Sequence, residues 1–278
     1  MRLTCVILIL LFTKVAFSQE YEGYVLDSLT NDPIIYANIG IVEKNNGTVS
    51  TQNGYFKIII STNSDLDTIR FSFVGYDSKS FLVKDFKTRY KATGLKITLV
   101  PKVIQLEEVT VISSMNKPIV LGNTPRSRFT SIGLTSNRLG YEIGSLFKNK
   151  KSNTTVDSVQ LYFAKCSYDS IFLRLNIYKV EKGLMINILK VPIYLNFSKR
   201  IALRNPIIDL TKYSIVMDGD FFISVEYVRD LGGRNVWFYA TMNSDNNPAM
   251  YRETSQAKWK FIYHNSTKSG ICILAFIN

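Results

Sequence analysis

The chain contains one histidine, His264, and this limits the catalytic chemistry that its side chains can perform. Zinc peptidases hold their metal with two or three nitrogen or carboxylate ligands, commonly two histidines, and add an acid–base glutamate. The spacing places His264 just before a turn, on the same alternating face as Lys258 and Lys260, so we expect it to face solvent. The sequence has neither a Gly-x-Ser-x-Gly nucleophile elbow nor a phosphate-binding loop. We therefore predict no metal site and no cofactor.

Paired carboxylates are the other route to bond cleavage. Asp218 and Asp220 form the one close acidic pair of the second half, and a hairpin turn around Gly219 accounts for them. A calcium site would need more oxygen ligands than this pair supplies. Carboxylates that cleave glycosides can, however, come from distant strands of any β-fold. A hydrolase acting on polysaccharide or peptide through the second half therefore stays open as the alternative to a non-catalytic binder.

Exposed aromatic rings are the feature that would indicate sugar binding. Trp237 and Tyr239 alternate with Val236, Phe238 and Ala240, so the two sets face opposite sides of a strand. Rings on a sandwich face can stack on the apolar faces of sugars. We take Trp237 and Tyr239 as the candidate binding residues, with two weaker companions, Arg234 and Tyr251. The alternative is that both faces of a central strand are buried.

Two cysteines remain beyond the N-terminal segment, Cys166 and Cys272. One is predicted at the end of a strand and the other at the start of the last strand. If those strands are antiparallel neighbours, the cysteines can form a disulfide in an oxidising compartment. They can equally be two buried thiols that act as small apolar groups.

Period-two alternation runs through the whole chain and predicts an all-β protein. In the first part, turn signals such as Asn53-Gly54 separate short strands, which predicts a small sandwich. In the second part, about eight strands are expected, which indicates a jelly-roll sandwich. The sets that each share one face of a strand are Val159, Leu161 and Phe163; Ile171, Leu173, Leu175 and Ile177; Phe221, Ile223, Val225 and Tyr227; Val236, Phe238 and Ala240; and Trp259, Phe261 and Tyr263. The run from Ile271 to Ile277 is nearly all apolar.

The first part resembles the carboxypeptidase-regulatory-like domain, over roughly residues 20–112. The residues that carry the resemblance are Gly23, Val25, Asp27, Thr30, Pro33, Ile34, Ala37, Asn38, Ile39, Gly47, Thr48, Asn53, Gly54, Phe56, Phe73, Gly75, Tyr76, Leu99 and Pro101. The resemblance implies a seven-stranded, transthyretin- or immunoglobulin-like sandwich of the kind common in exported proteins of Bacteroidetes. It implies an accessory module, and we expect Gly54 and Gly75 to lie where a Cβ would clash.

In outer-membrane receptors that carry this domain, a segment similar to residues 106–111 leads toward a plug and a barrel. The remaining 167 residues are too few for both, so transport is not implied. The second half loosely resembles jelly-roll modules of the carbohydrate-binding or galactose-binding kind, through the order of its strands.

The N-terminus predicts export. Arg2 precedes an apolar run from Val6 to Phe12, and Ala16 and Ser18 are spaced like a signal-peptide cleavage site. We predict a signal peptide over residues 1–18, a regulatory-like sandwich over 19–112, a linker over 113–128 and a jelly-roll-like sandwich over 129–278. The expected location is the periplasm, the outer membrane or the exterior, with membrane contact peripheral at most.

Positive charge is concentrated in the second half. Residues 113–278 hold 22 basic and 11 acidic residues, a net charge of +11, whereas residues 19–112 hold 10 and 11. This asymmetry suggests an anionic neighbour, unless the lysines simply keep the surface soluble. Export and the lack of a recognition motif argue against nucleic acid. The expected function is an exported, non-catalytic binding or scaffolding protein, with an envelope protein or an anionic or neutral glycan as its partner.

Overall fold

The computed structural model describes residues 18–102, 118–125, 129–134, 138–232 and 235–278. The protein is nearly all β, with 52% strand and 7% helix, which confirms the predicted fold class. The first part contains β1 (Ser18–Asp27), β2 (Asn38–Ile41), β3 (Gly47–Val49), β4 (Tyr55–Ser61), a 3₁₀ turn (Thr62–Ser64), β5 (Thr68–Ser72), β6 (Lys79–Leu82), α1 (Val83–Arg89) and β7 (Leu95–Leu99).

The second part contains β8 (Ile119–Gly122), β9 (Ser131–Leu134), β10 (Glu142–Phe147), β11 (Thr154–Leu161), β12 (Phe163–Cys166), β13 (Ser170–Glu181), β14 (Leu184–Asn187), β15 (Ile193–Ser198), α2 (Lys199–Ala202), β16 (Ile207–Asp209), a 3₁₀ turn (Thr211–Tyr213), β17 (Val216–Met217), β18 (Phe221–Tyr227), β19 (Val236–Thr241), β20 (Ala249–Arg252), β21 (Lys260–Phe261), β22 (Tyr263–His264), β23 (Thr267–Lys268), β24 (Gly270–Ile271) and β25 (Ile273–Ile277).

The first sandwich packs a three-stranded sheet, in the order β4-β1-β7, against a four-stranded sheet, in the order β3-β2-β5-β6. Alternation produces its core: Phe56, Ile58 and Ile60 of β4 are buried, while the residues between them face outward. The helix α1 closes one side of this core through Val83 and Phe86, both fully buried. The seven strands are the number that the family resemblance implied for this domain.

The second sandwich has a large sheet on one side, in the order β14-β13-β18-β10-β20-β21, with β15 also paired to β13. The facing layer is formed by β16-β11-β25-β8 and by β12-β19-β24, with β17 and β9 at its margins. The chain alternates between the two layers from β10 to β11 and β13, and again from β18 to β19 and β20, whereas β13, β14 and β15 follow one another within the large sheet.

The predicted linker, residues 113–128, needs a correction. Four of its residues, Ile119–Gly122, form β8, which pairs antiparallel with the last strand, β25. Pro118, Gly122 and Pro125 interrupt the alternation in the sequence, and this concealed a short edge strand whose hydrogen bonds come from the far end of the chain. The predicted signal segment, apart from Ser18, and residues 106–111 lie outside the described residues. Within the described ranges, no helix is long and apolar enough to cross a membrane.

Candidate functional site: a buried ionic network and a cleft between the sandwiches

A row of four charged side chains crosses the outer face of the large sheet. Strand register places Arg174 on β13 opposite Glu226 on β18, Glu226 opposite Glu142 on β10, and Glu142 opposite Arg252 on β20. The row reads plus, minus, minus, plus. Arg174 Nη2 lies 2.8 Å from Glu226 Oε2, and Arg252 Nη2 lies 2.5 Å from Glu142 Oε2. Cross-strand pairing thus holds each carboxylate against one guanidinium.

Neutral side chains complete this network. Asn176 Nδ2 donates to Glu142 Oε1 at 2.9 Å and to Glu226 Oε2 at 2.7 Å, and so bridges the two carboxylates. The hydroxyl of Tyr178 donates to Glu142 Oε1 at 2.8 Å, and the hydroxyl of Ser224 donates to the same oxygen. These donors offset the repulsion between two adjacent negative charges.

The network is dry. Glu142 and Glu226 are 0% exposed and Arg174 is 1% exposed. Burial raises the pKa of Glu226, the positive charge of Arg174 opposes that shift, and the negative charge of Glu142 adds to it. Burial also raises the pKa of Tyr178 well above its ordinary value, so its hydroxyl stays protonated and serves as a donor.

Arg174 joins the two sandwiches. Its Nη1 donates to the backbone oxygen of Tyr36 at 2.7 Å, and its Nη2 donates to Asn38 Oδ1 at 2.5 Å. Beside it, the Tyr36 ring packs against the rings of Phe172 and Tyr194, with both centroid distances at 5.5 Å. One guanidinium therefore spans a carboxylate of the second sandwich and the backbone of the first, with aromatic rings excluding water around it.

The backbones of the sandwiches also approach closely at Gly75. A Cβ there would lie 2.6 Å from the backbone oxygen of Lys190, and the φ angle of Gly75 is +83°. Two hydrogen bonds also join the sandwiches at Gln256. Its side-chain Nε2 donates to Ser72 Oγ at 2.9 Å, and its backbone oxygen accepts the Glu43 backbone N–H at 2.8 Å. Gly75 is thus required by the contact between the domains as well as by its own turn.

An open cleft of about 600 Å³ lies along this contact. Both sandwiches line it, and its cationic lining residues are Arg70, Lys102, Lys190 and Arg252. The described residues that line it include no aspartate or glutamate. Amide and hydroxyl side chains supply most of the remaining polar surface. The cleft is therefore a concave, cationic and hydrogen-bonding surface at a junction between domains, where ligand sites commonly lie.

Comparison with known proteins bears on the first sandwich. Residues 21–111 match the family model of the CarboxypepD_reg-like domain. This confirms the resemblance predicted from the motif residues. No curated protein matches the chain. A solved structure, the major pilin subunit of Bacillus cereus, is 12% identical over 92% of this chain and 69% of that one, with a TM-score of 0.20, and this likeness carries no argument.

The candidate binding residues do not converge. Trp237 and Tyr239 are half-buried on the outer face of β19, in the layer opposite the large sheet. Tyr251 lies on β20 and stacks on Tyr141 with ring centroids 5.9 Å apart, so it packs into the sandwich core. Arg234 lies outside the described residues. Alternation predicted the outward face of β19 but could not show that Tyr251 belongs to the other sheet.

Cys166 and Cys272 are free, buried thiols in the structure and not a disulfide. The register explains why. The Tyr162 N–H donates to the Cys272 oxygen, so Cys272 faces Tyr162 and not Cys166, four residues further along. Four residues of strand span roughly 13 Å, whereas the Cα atoms of a disulfide lie about 4–7 Å apart. Burial raises the pKa of the Cys272 thiol to about 12.

Asp218, Asp220 and His264 lie at turns or on the surface. Asp218 Oδ1 accepts the Asn153 N–H at 2.6 Å, and Asp220 Oδ1 accepts the Asn149 N–H at 3.1 Å, so both carboxylates cap a hairpin of the protein itself. His264 is exposed. Over the described ranges, no group of three or more His, Cys, Asp or Glu side chains is placed to hold a metal ion.

Sequence reasoning missed the ionic network. The sequence did contain a signal for it. The polar residues that alternate with the apolar ones are Arg174 and Asn176 on β13, and Ser224 and Glu226 on β18. We assigned only the apolar set of each strand to a core, which leaves the polar set facing water. In the structure, β18 is buried on both faces along its whole length. On its outer side the Trp259 ring packs on Phe222, and Arg174 bonds both Glu226 and the first sandwich.

Proposed function

We propose that this chain is an exported, non-catalytic binding or scaffolding protein of the cell envelope, in which the two sandwiches act as a single recognition unit. The observation that carries this proposal is the double role of Arg174, which pairs with Glu226 at 2.8 Å and reaches the Tyr36 backbone at 2.7 Å. A buried, directional contact of this kind fixes one domain against the other and specifies their orientation. The accessory sandwich then forms one wall of the recognition surface.

The carboxylates of the network support binding over catalysis. Glu142 and Glu226 are fully buried, and each holds a guanidinium and the Asn176 amide. A general acid or a nucleophile must reach its substrate directly or through one water. These carboxylates are committed to the protein, so the best-developed ionic site of the described chain stabilises a domain junction.

The partner is proposed from charge and location. Export follows from the basic, apolar N-terminal segment, and it places the protein in the periplasm, at the outer membrane or outside the cell. The excess of basic residues in the second half favours an anionic partner, either an envelope protein or a glycan. Contact with the membrane is peripheral.

Purified protein incubated with labelled envelope polysaccharides and peptides tests this proposal. We expect stoichiometric retention of a ligand and no new reducing ends or free termini, measured by gel filtration and chromatography of the ligand. Turnover would support the alternative, a hydrolase that acts through the second sandwich. Fractionation of cells that express the tagged full-length chain tests export separately, and a cytoplasmic protein would contradict the envelope assignment.

A further inference from the structure

The cleft between the sandwiches has the chemistry of a defined ligand site. We infer that it binds an acidic oligosaccharide, a short run of sugar units that carry carboxylates. This inference rests on the proposed binding function and names the ligand class. It goes beyond the general basic character of the second half, because two of the four cationic residues that line the cleft, Arg70 and Lys102, belong to the first part of the chain.

Charge is the first argument. Arg70, Lys102 and Lys190 line one continuous cleft, and no carboxylate is among the described lining residues. A concave surface lined by one sign of charge focuses its field on whatever enters.

Arg252 supplies a rigid guanidinium at this cleft. Its Nε lies 2.8 Å from Glu142 Oε2, its Nη2 lies 3.0 Å from the Tyr178 hydroxyl oxygen, and its guanidinium carbon lies 4.5 Å from the centre of the Trp259 ring. No described residue accepts a hydrogen bond from Nη1. A guanidinium held on three sides loses little conformational entropy when Nη1 donates to a carboxylate.

Arg70 is oriented in a similar way. Its Nε donates to Ser80 Oγ at 3.2 Å, and no carboxylate among the described residues accepts a hydrogen bond from its two terminal nitrogens. Arg70 and Arg252 thus approach the cleft from different domains, each with one edge fixed by the protein. Planar guanidinium groups recognise carboxylates in pairs of parallel hydrogen bonds, which suits sugar acids.

A hydroxyl without a partner is a second and independent observation. Ser255 lines the cleft and is 2% exposed, yet its Oγ has no hydrogen-bond partner in the described part of the chain. A buried hydroxyl left unpaired costs about 1–3 kcal/mol, so a ligand that pairs with it recovers this free energy. Sugar hydroxyls both donate and accept, which matches the polar side chains of Ser78, Ser255 and Gln256 that line the cleft.

The size and the apolar patches favour an oligosaccharide. A cleft of about 600 Å³ matches sites for small ligands, and it is too small for a folded partner. Met185, Ile188 and Leu189 place apolar side chains beside the charged and amide groups. Sugar rings present the same combination, with an apolar face of C–H groups and an edge of hydroxyls and carboxylate.

The test compares two triple variants of equal charge. Arg70→Gln, Lys102→Gln and Lys190→Gln together remove three charges from the cleft. The matched control removes three exposed lysines outside the cleft lining, through Lys84→Gln, Lys91→Gln and Lys150→Gln. The probes are oligogalacturonate, a neutral glucan oligomer and poly-glutamate, measured by calorimetry at low and physiological salt. Urea unfolding checks that both variants fold.

We expect oligogalacturonate to bind, the cleft variant to weaken that binding by about tenfold or more, and the control to change it by about twofold or less. Equal losses in both variants would show a diffuse charge effect and overturn the inference. Preferential binding of poly-glutamate would replace the glycan by an acidic peptide and overturn it as well. If envelope ligands are retained but both triple variants retain them normally, the cleft inference fails while the proposed binding function stands.

Discussion

Asp27 of the first sandwich and Glu226 of the second are carboxylates held in opposite ways. In the CarboxypepD_reg-like domain, Asp27 ends β1 at an exposed turn, where it accepts the Leu29 N–H at 2.7 Å and the Tyr76 hydroxyl at 2.7 Å. In the second sandwich, Glu226 lies in the middle of a sheet and is 0% exposed. The backbone N–H of Leu29, followed by the Tyr76 hydroxyl, lowers the pKa of Asp27, whereas burial raises the pKa of Glu226.

This contrast shows what covers each surface. The first sandwich is one core closed by its own two sheets and by α1, so its polar groups serve turns and solvent. The second sandwich has one core between its sheets and further apolar clusters on the outer face of its large sheet. That outer face is a complete surface only with the first sandwich against it. The row of four charged side chains on that face therefore helps to hold the two sandwiches together.

Removing Arg174 should produce the largest effect. Arg174→Met leaves Glu226 buried without its cation and leaves the Tyr36 carbonyl without its donor, so we expect a loss of about 3–5 kcal/mol in the free energy of unfolding. Urea denaturation measures it. The control is Lys57→Met, which breaks the exposed pair with Glu20 and should lower the free energy of unfolding far less. Equal and small losses would mean that water reaches the Arg174 network.

Comparing Gly75→Ala with Gly94→Ala should show how much stability the contact between the domains contributes beyond the backbone strain of a turn. Gly75 and Gly94 both have positive φ, at +83° and +71°, but a Cβ at Gly94 meets nothing within 4 Å. Each change to alanine carries backbone strain of about 1–2 kcal/mol. We expect Gly75→Ala to cost about 1–3 kcal/mol more than Gly94→Ala, because its methyl group overlaps the Lys190 oxygen. Limited proteolysis should cut the Gly75 variant faster, and identical rates would contradict this role.

Stability should depend on pH with opposite signs at Glu226 and Asp27. The folded protein raises the pKa of Glu226, so the contribution of this group is complete below its ordinary pKa of 4.5 and is lost as pH rises through the raised pKa. The folded protein lowers the pKa of Asp27, so that contribution is complete above the ordinary pKa of 3.8 and is lost as pH falls through the lowered value.

Urea midpoints measured from about pH 3 to about pH 8 on Glu226→Gln and Asp27→Asn check these signs. Relative to the unchanged protein, Glu226→Gln should gain stability as pH rises, and Asp27→Asn should lose it. The exposed Asp27 contributes the smaller change. If the urea midpoints of both variants changed with pH in the same direction, burial would not be the main influence on the pKa of Glu226.

The thiols should give the smallest effect. Because Cys166 and Cys272 are buried and unbridged, a reductant should leave the urea midpoint unchanged, and neither thiol should react with a chromogenic disulfide reagent before the protein unfolds. A reductant-dependent midpoint would show a bridge between them. Cys166→Ser with Cys272→Ala serves as the unreactive reference in the same assay.

In the first sandwich, the motif residues and the alternating pattern were enough to predict most of the fold. Its seven strands, its core residues Phe56, Ile58 and Ile60, and its turn glycines all depend on neighbours that are close in sequence. A Cβ at Gly54 would lie 2.7 Å from the Pro33 Cβ, and this clash was predicted together with that at Gly75. The sequence did not indicate that Gly75 would meet Lys190, which is 115 positions away.

The alternating pattern could not predict the cleft or the ionic network. Trp237 and Tyr239 were selected because aromatic rings on an outer face suggest exposure, and the structure has both half-buried. The cleft and the ionic network instead combine Asn38, Arg70, Arg174 and Arg252 from both sandwiches. No local pattern connects such positions.

Sequence by itself determined the strand composition, the identity of the first domain and the inward face of each long strand, because side chains alternate with a period of two whatever the strand meets. Only the tertiary structure decided which outward faces are dry. Burial depends on what covers a strand, and a partner more than one hundred residues away leaves no periodic signal. Arg174, at one end of the row of charged side chains, would lose its hydrogen bonds to Tyr36 and Asn38 if the first sandwich did not lie against it.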